Sequence, residues 1–394
     1  MAFTTCVISC EEAKLPLYAA KPILAMNPRL VVDLGDTPYY NTALTAGGYT
    51  GPVLTTSSTV QNIKDRVHAM WSKKGWRELK LARANGLIFS WCGEDDHRWA
   101  DSADHTVAMA ESGGGPIGTP GTVTQAQVNA VATNWYTAHR ELGNTYWDYP
   151  TAESMAANNG DVPSGPGLGG EAMPASAFPI IYHYLDFDRN GALGGNHVRG
   201  IVPDLITYRS PTTATDNASK TAFGATQKAW FLNAVKDAHD RGFKHIVLIS
   251  SKKLFARTAS GRYGNGENSD TWGAYSTERD EVLTELHNYG ARIVTMSGDR
   301  HTPNVVYRTT ADGYAYDALD LCACPVSVEN NDTGQGDTPG QIWLRSAASR
   351  REPVFGSLVF NDDDTLTMAI RHGISGAVRW SCSVAPRSNT PIYA

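Results

Sequence analysis

"RLVVDLGD", residues 29–36, is an apolar run that stops at a Gly-Asp pair. Leu30 to Leu34 show no polar alternation over most of their length. That reads as a strand buried on both faces, broken at Gly35-Asp36. Two more runs repeat the design. "LIFSW" (87–91) leads into Glu94, Asp95, Asp96 and His97, and "RIVTMSGDRH" (292–301) closes on Asp299 and His301. A fourth run, "TTCVIS" (4–9), ends at Cys10. Helical patterns lie between the strands. "STVQNIKDRVHAMWSKKG" sets Val60, Ile63, Val67, Met70 and Trp71 on one face, with a Ser58 or Thr59 cap and a Gly75 stop. "TQAQVNAVATNWYTAHRE", "GATQKAWFLNAVKDAHDRG" with a Gly242 stop and "TERDEVLTELHNYG" with a Gly290 stop follow. "PIIYHYLDFDRNGAL" predicts a hairpin and "DLITYR" (204–209) a further strand, while residues 303–394 read as strands and turns. This alternation predicts an α/β core with partly parallel sheets.

Open α/β sheets bind ligands at the C-terminal edge of their strands. Here three buried strands deliver Asp36, the Asp95-Asp96-His97 group and the Asp299/His301 pair to that edge. Adjacent carboxylates repel one another and are costly to desolvate, so a partner must offset them. Three independent strand ends with the same donors point to a cation, because carboxylates with imidazoles suit hard and intermediate metal ions. Asp299 and His301 are two apart, so in extended backbone both face the same way. Cys10 alone reads either as a metal thiolate or as a small buried residue.

Composition sets the outer bounds. The chain has 394 residues, 41% hydrophobic and 19% charged, with net charge −6, which fits a globular protein and disfavours non-specific nucleic-acid binding. No apolar run reaches the ~18–20 residues that span a bilayer. Six cysteines do not make a disulfide scaffold at this length, and Cys322-Ala-Cys324 lacks paired zinc spacing. "DFDRNGALGGNH" (186–197) imitates a calcium loop but carries His197 where the bidentate Glu belongs, so it reads as a hairpin turn. "GPGLGG" (165–170) follows no strand and opens no helix, so it is no dinucleotide site. His68, His139, His245 and His287 read as structural. Long loops rich in Gly, Pro, Ser and Asn are expected at about 106–175 (notably 111–122 and 141–175) and at 322–340, at the rim of the site. No basic-apolar leader precedes the first strand, which as written predicts a cytoplasmic protein.

In order along the chain, "SCEE", "DLGDTPYY", "EDDHRW", "DLITYRSP", "GATQKAWFLNAV", "DTWGAYSTERDEVL", "SGDRHTPNV" and "FGSLVF" resemble the motifs of the alkaline phosphatase D (PhoD-like) metallophosphatases. These are related to the calcineurin-like and purple acid phosphatases. The resemblance implies a single αββα domain over 1–394, in which two mixed sheets are flanked by helices. It implies metal-dependent hydrolysis of a small phosphate ester, monoester or diester, at two cations. These would be Fe3+ and Ca2+, with Zn2+ or Mn2+ as alternatives. Asp36 would bridge both ions, Cys10 and Tyr39 would ligate the ferric ion, and Asp96 would hold the second. Asp299 and His301 would complete the set. His97 would face the leaving group, and Arg209 the phosphate oxygens. A phosphotriesterase or phospholipase-like hydrolase could use the same site, as could a metal-stabilised binding protein. Arg98, Ile206 and Gly273-Ala274 depart from the motifs. The family is usually exported, so a leader removed before this numbering would place the protein in the periplasm or outside the cell.

Overall fold

The computed structural model describes residues 2–10, 16–37, 43–92, 121–152, 180–211, 214–255, 271–299, 303–324, 326, 341–344 and 352–393. Two seven-stranded mixed sheets form its centre. In the first, β1 (Phe3–Ile8), β2 (Leu30–Asp33) and β5 (Ile88–Trp91) run parallel. The sheet continues antiparallel through β13 (Val354–Phe360), β14 (Leu366–His372), β15 (Val378–Val384) and β16 (Pro391–Ile392). In the second, β7 (Val198–Val202), β8 (His245–Ser250), β9 (Val294–Ser297) and β11 (Ala318–Cys322) run parallel. β6 (His183–Phe187) closes one side antiparallel, and β10 (Asn304–Arg308) with β12 (Gln341–Leu344) closes the other. A small ribbon pairs β3 (Leu44–Ala46) with β4 (Tyr49–Gly51).

Side-chain alternation explains the layering. Phe3 and Val7 of β1, with Leu30 and Val32 of β2, share one core with Val247, Ile249, Val294 and Met296 of the second sheet. The opposite faces carry Cys6, Ile8 and Val31, which pack under α1 (Ala20–Ala25), α2 (Val60–Trp71), α3 (Trp76–Ala84) and α4 (Gln125–Tyr146). Ile246 and Leu248 face α5 (Ala225–Asp240) and α6 (Ser276–Tyr289). Successive residues of a strand point to opposite faces. A continuous apolar run can therefore serve two cores at once, and the expected αββα sandwich results.

Several local expectations hold. Thr59 caps α2 in a capping box with Asn62. Gly290 ends α6 in the left-handed conformation at φ 88°. The 186–197 segment is the β6–β7 connection: Asp188 Oδ1 accepts from Asn190 and Ala192 N–H, and Asp186 pairs with Arg199 at 2.7 Å. Both carboxylates are thus occupied within the hairpin.

Four expectations are corrected. Gly75 (φ 89°) does not stop α2 but precedes α3, because α2 already ends at Trp71 with Ser72 as its C-cap. "DLITYR" is a turn and not a strand. Asp204 Oδ1 accepts from Ile206 N (3.0 Å) and Thr207 N (2.9 Å), and this side-chain bonding competes with strand pairing. The stretch expected as loop from 141 begins as helix, since α4 runs to Tyr146 and buries Leu142 and Tyr146 in the outer core. Cys322, expected to open the second loop, still belongs to β11, and 106–120, 153–175, 325 and 327–340 of the predicted rim loops lie outside the described residues, as does "GPGLGG". Among the described residues no helix is long and apolar enough to cross a membrane.

Candidate metal centre

Register brings the strand ends level. Ile8 stands beside Asp33 and Asp33 beside Trp91 in the first sheet. Ser250 stands beside Ser297 and Ser297 beside Cys322 in the second. Two or three residues past these rows come Cys10, Asp36, Lys252, Asp299 and Cys324. The edge of the sandwich therefore collects functional side chains from five strands.

Three of them occupy left-handed backbone: Cys10 at φ 58°, Asp36 at φ 55° and Asp299 at φ 67°. Such conformations cost a non-glycine residue of the order of 1 kcal/mol, and they concentrate at functional sites. Here the turn aims each side chain back at the edge. Cys10 Sγ donates to Asp36 Oδ2 at 3.4 Å. Ser9 Oγ lies 3.1 Å from Cys10 Sγ and accepts from the Asp299 backbone N–H at 3.3 Å. One hydroxyl thus ties the first sheet's thiol to the backbone of Asp299 in the second sheet. Gly298 makes that approach possible, because a Cβ there would lie 2.6 Å from Ser9 Oγ and 2.9 Å from Ser9 Cβ.

Of the residues expected at the site, the structure brings Cys10, Asp36 and Asp299 together. Arg209 is 2% exposed and stands on the connection after β7, at the same sheet edge. Its loop is heavily braced. The Gln227 side chain bonds both the N–H and the C=O of Asp204, and Tyr275 Oη donates to Ser210 O at 2.7 Å. Buried Glu278 accepts from Thr221 Oγ1 and from Ala222 N. The motif residues of "GATQKAW" and "DTWGAYSTER" therefore work as scaffold for the arginine's loop. Tyr39, Asp96, His97 and His301 lie outside the described residues, as does Arg98, one of the departures.

Sequence reasoning missed five residues. Ser9 is the bridge just described. Lys252 Nζ donates to Asp299 Oδ1 at 2.8 Å. Asp320 accepts from Ser297 Oγ (2.6 Å) and Leu254 N (3.1 Å), fixing the turn after β8. Cys324 packs with Cys10 and Cys322 in one buried cluster, where burial raises its pKa. Asp33 accepts from Gly35 N at 3.0 Å and shapes the turn that presents Asp36. A signal existed for Lys252: "ISSKKLF" is also a buried strand ending in polar residues.

The donor set, one thiol and two carboxylates at converging strand ends, fits a divalent or trivalent cation. Among the described residues no group of three or more His, Cys, Asp or Glu is placed so that it could hold a metal ion.

Burial pushes the Asp33 carboxyl up to about 8 from 3.8, with the nearby Asp36 charge adding to it and the Gly35 and Thr37 hydrogen bonds opposing it. The folded state thus keeps a proton that the unfolded chain releases near pH 4. That stabilisation is complete below the unfolded value and is lost as pH rises through about 8. In metal-free protein Asp33→Asn is expected to be the more stable form at pH 9, by ~1 kcal/mol or more, and to match wild type near pH 4. Urea midpoints at the two pH values check this. An unchanged difference would remove the titration from Asp33.

Comparison with known proteins follows the same lines. The model of the PhoD-like phosphatase family matches residues 194–352, which include Arg209, Lys252 and Asp299. No curated protein matches the sequence. Among solved structures, that of PhoD superposes with a TM-score of 0.67 at 14% identity, covering 99% of this chain and 70% of that one. A purple acid phosphatase, PPD1 from yellow lupin (Lupinus luteus) seeds, superposes at 0.53 and 10% identity, covering 98% of this chain and 54% of that one. The resemblance to PhoD-like phosphatases therefore stands, and the chain shares its fold with PhoD and the purple acid phosphatase. Together they support a phosphoesterase.

Proposed function

We propose that the chain is a metal-dependent phosphoric ester hydrolase acting on small phosphate monoesters or diesters. The observation that carries this is the meeting of Cys10, Asp36 and Asp299, all in left-handed backbone, at the C-terminal edge of two sheets. A structural turn has no need of strained backbone at three strand ends that meet. The contribution of both sheets to one centre also supports reading 1–394 as a single unit.

Cys10 and Asp36 would hold a cation, with Tyr39 and Asp96 added from the resemblance; a bound cation polarises the phosphoryl group and acidifies water beside it. Thiolate and phenolate suit ferric iron, and carboxylates suit calcium, manganese or zinc. Arg209, buried and braced, would place its guanidinium against phosphate oxygens, which a planar fork binds in bidentate fashion. His97 would pass a proton to the departing alkoxide, a contribution of ~10²–10⁴-fold for such an acid.

The test is hydrolysis of p-nitrophenyl phosphate and bis-p-nitrophenyl phosphate by metal-supplemented protein. Turnover is expected to fall at least ~10-fold on chelation and to return with the metal, and the ratio of the two rates assigns monoester or diester preference. Bound metal without turnover of either ester would favour a binding protein instead.

A further inference from the structure

Four strand ends at this edge bring thiol or carboxylate groups, while β8 brings a cation. The Lys252 ammonium lies 2.8 Å from Asp299 Oδ1, and the two side chains are only 1% and 7% exposed. We propose that Lys252 is a built-in positive pole of the centre that takes over the Asp299 carboxylate, so that the chain holds one metal ion, at the Cys10–Asp36 side. The resemblance alone implies two. The inference rests on the metal-centre reading above and deepens it.

The lysine is placed and not merely present. Ser250 Oγ accepts from Lys252 N at 3.1 Å and donates to Lys252 O at 2.6 Å. Two residues on, Leu254 N donates to Asp320 Oδ2, whose other oxygen is held by Ser297 at the end of β9. The turn that carries the ammonium is thus anchored to the turn that carries Asp299. Gly298 N donates to Ser250 O at 3.1 Å and completes the link.

Charge decides the consequence. A carboxylate binds a metal ion at roughly 2.0–2.6 Å. An ion on Asp299 would therefore share that carboxylate with the ammonium and stand within a few ångströms of it. Like charges so close repel strongly away from bulk water. Lysine suits this part, being a compact point charge on a flexible stem. A buried ammonium that already neutralises Asp299 leaves the carboxylate little reason to recruit a second cation. Lys252 is then a positioning residue. It holds Asp299 and sets the charge of the centre without touching the ester.

The experiment is an ion count on the full chain, purified after supplementation with iron and calcium, by elemental analysis. Wild type and Lys252→Arg are expected to hold about one ion per chain, and Lys252→Met, neutral and similar in volume, to approach two. Rescue by Lys252→Arg separates the charge from any structural role of the side chain. Should Lys252→Met fail to fold, titration of wild type with calcium or manganese decides. Saturation at one ion in total supports the proposal and saturation at two overturns it. A folded Lys252→Met that gains no ion also overturns it. Two ions in wild type would leave the metal-centre reading intact, whereas no ion in any form would overturn both.

Discussion

Asp36→Ala is expected to lower kcat/KM for the better of the two nitrophenyl esters by ~10³-fold or more, and to leave the purified chain without its bound ion. Removing a single preorganised charge-stabilising group already costs ~10²–10³-fold in well-studied sites. Asp36 should exceed that, because it acts on the cation itself. Its Oδ2 lies against the Cys10 thiol, and its backbone is bent to φ 55° to bring it there. Alanine tolerates left-handed backbone poorly, at a cost of ~1–2 kcal/mol, so part of any loss could come from the turn. Asp36→Asn controls for this, since asparagine adopts that conformation readily yet offers no anionic oxygen. Both variants should lose ion and turnover together while the folded circular dichroism persists. A folded Asp36→Asn that keeps its ion and a tenth of its activity would remove Asp36 from the centre.

Gly298→Ala should be the most damaging single-methyl change at this edge. The added Cβ would meet Ser9 Oγ at 2.6 Å, Ser9 Cβ at 2.9 Å and Leu34 Cδ1 at 3.2 Å. None of these is the free end of a long side chain, so the sheets must move apart or Ser9 must turn away. Overpacking of this kind costs ~1–3 kcal/mol. The rotation would also break the Ser9 contacts to Cys10 and to Asp299 N. The expected result is a lowered urea midpoint together with weaker ion retention. Gly356→Ala serves as the comparison: its Cβ would press Met296 Sδ at 2.7 Å and Ala323 Cβ at 3.0 Å rather than Ser9. Gly356→Ala should lose stability and keep its ion. Equal ion loss in both variants would mean that the centre depends on global stability rather than on Ser9.

Much of this was legible from residues alone. The buried strands, the helix cap at Thr59 and the stop at Gly290 all follow from local rules, and the structure follows them. Cys10, Asp36 and Asp299 could be picked out because each follows a buried strand. What could not be read was which side chains face one another across the gap between sheets. Ser9 and Asp299 are 290 residues apart, and only the packing of β1 against β9 makes them neighbours. The pairing of Lys252 with Asp299 was hidden for the same reason. A lysine in a polar turn looks solvated until the turn is known to be buried. "DLITYR" misled in the opposite direction, since its apolar pattern suits a strand while the Asp204 side chain captures the backbone first.

The position of β1 carries a consequence for the life of the chain. It sits between β2 and β13, so one of its two hydrogen-bonding flanks waits for Val354–Phe360. The thiol of Cys10 is made long before the slot that fixes it can close, because β1 must wait for Val354–Phe360 far along the chain. Contacts of such long sequence separation form slowly. On the proposed reading, ion capture would then come late in folding.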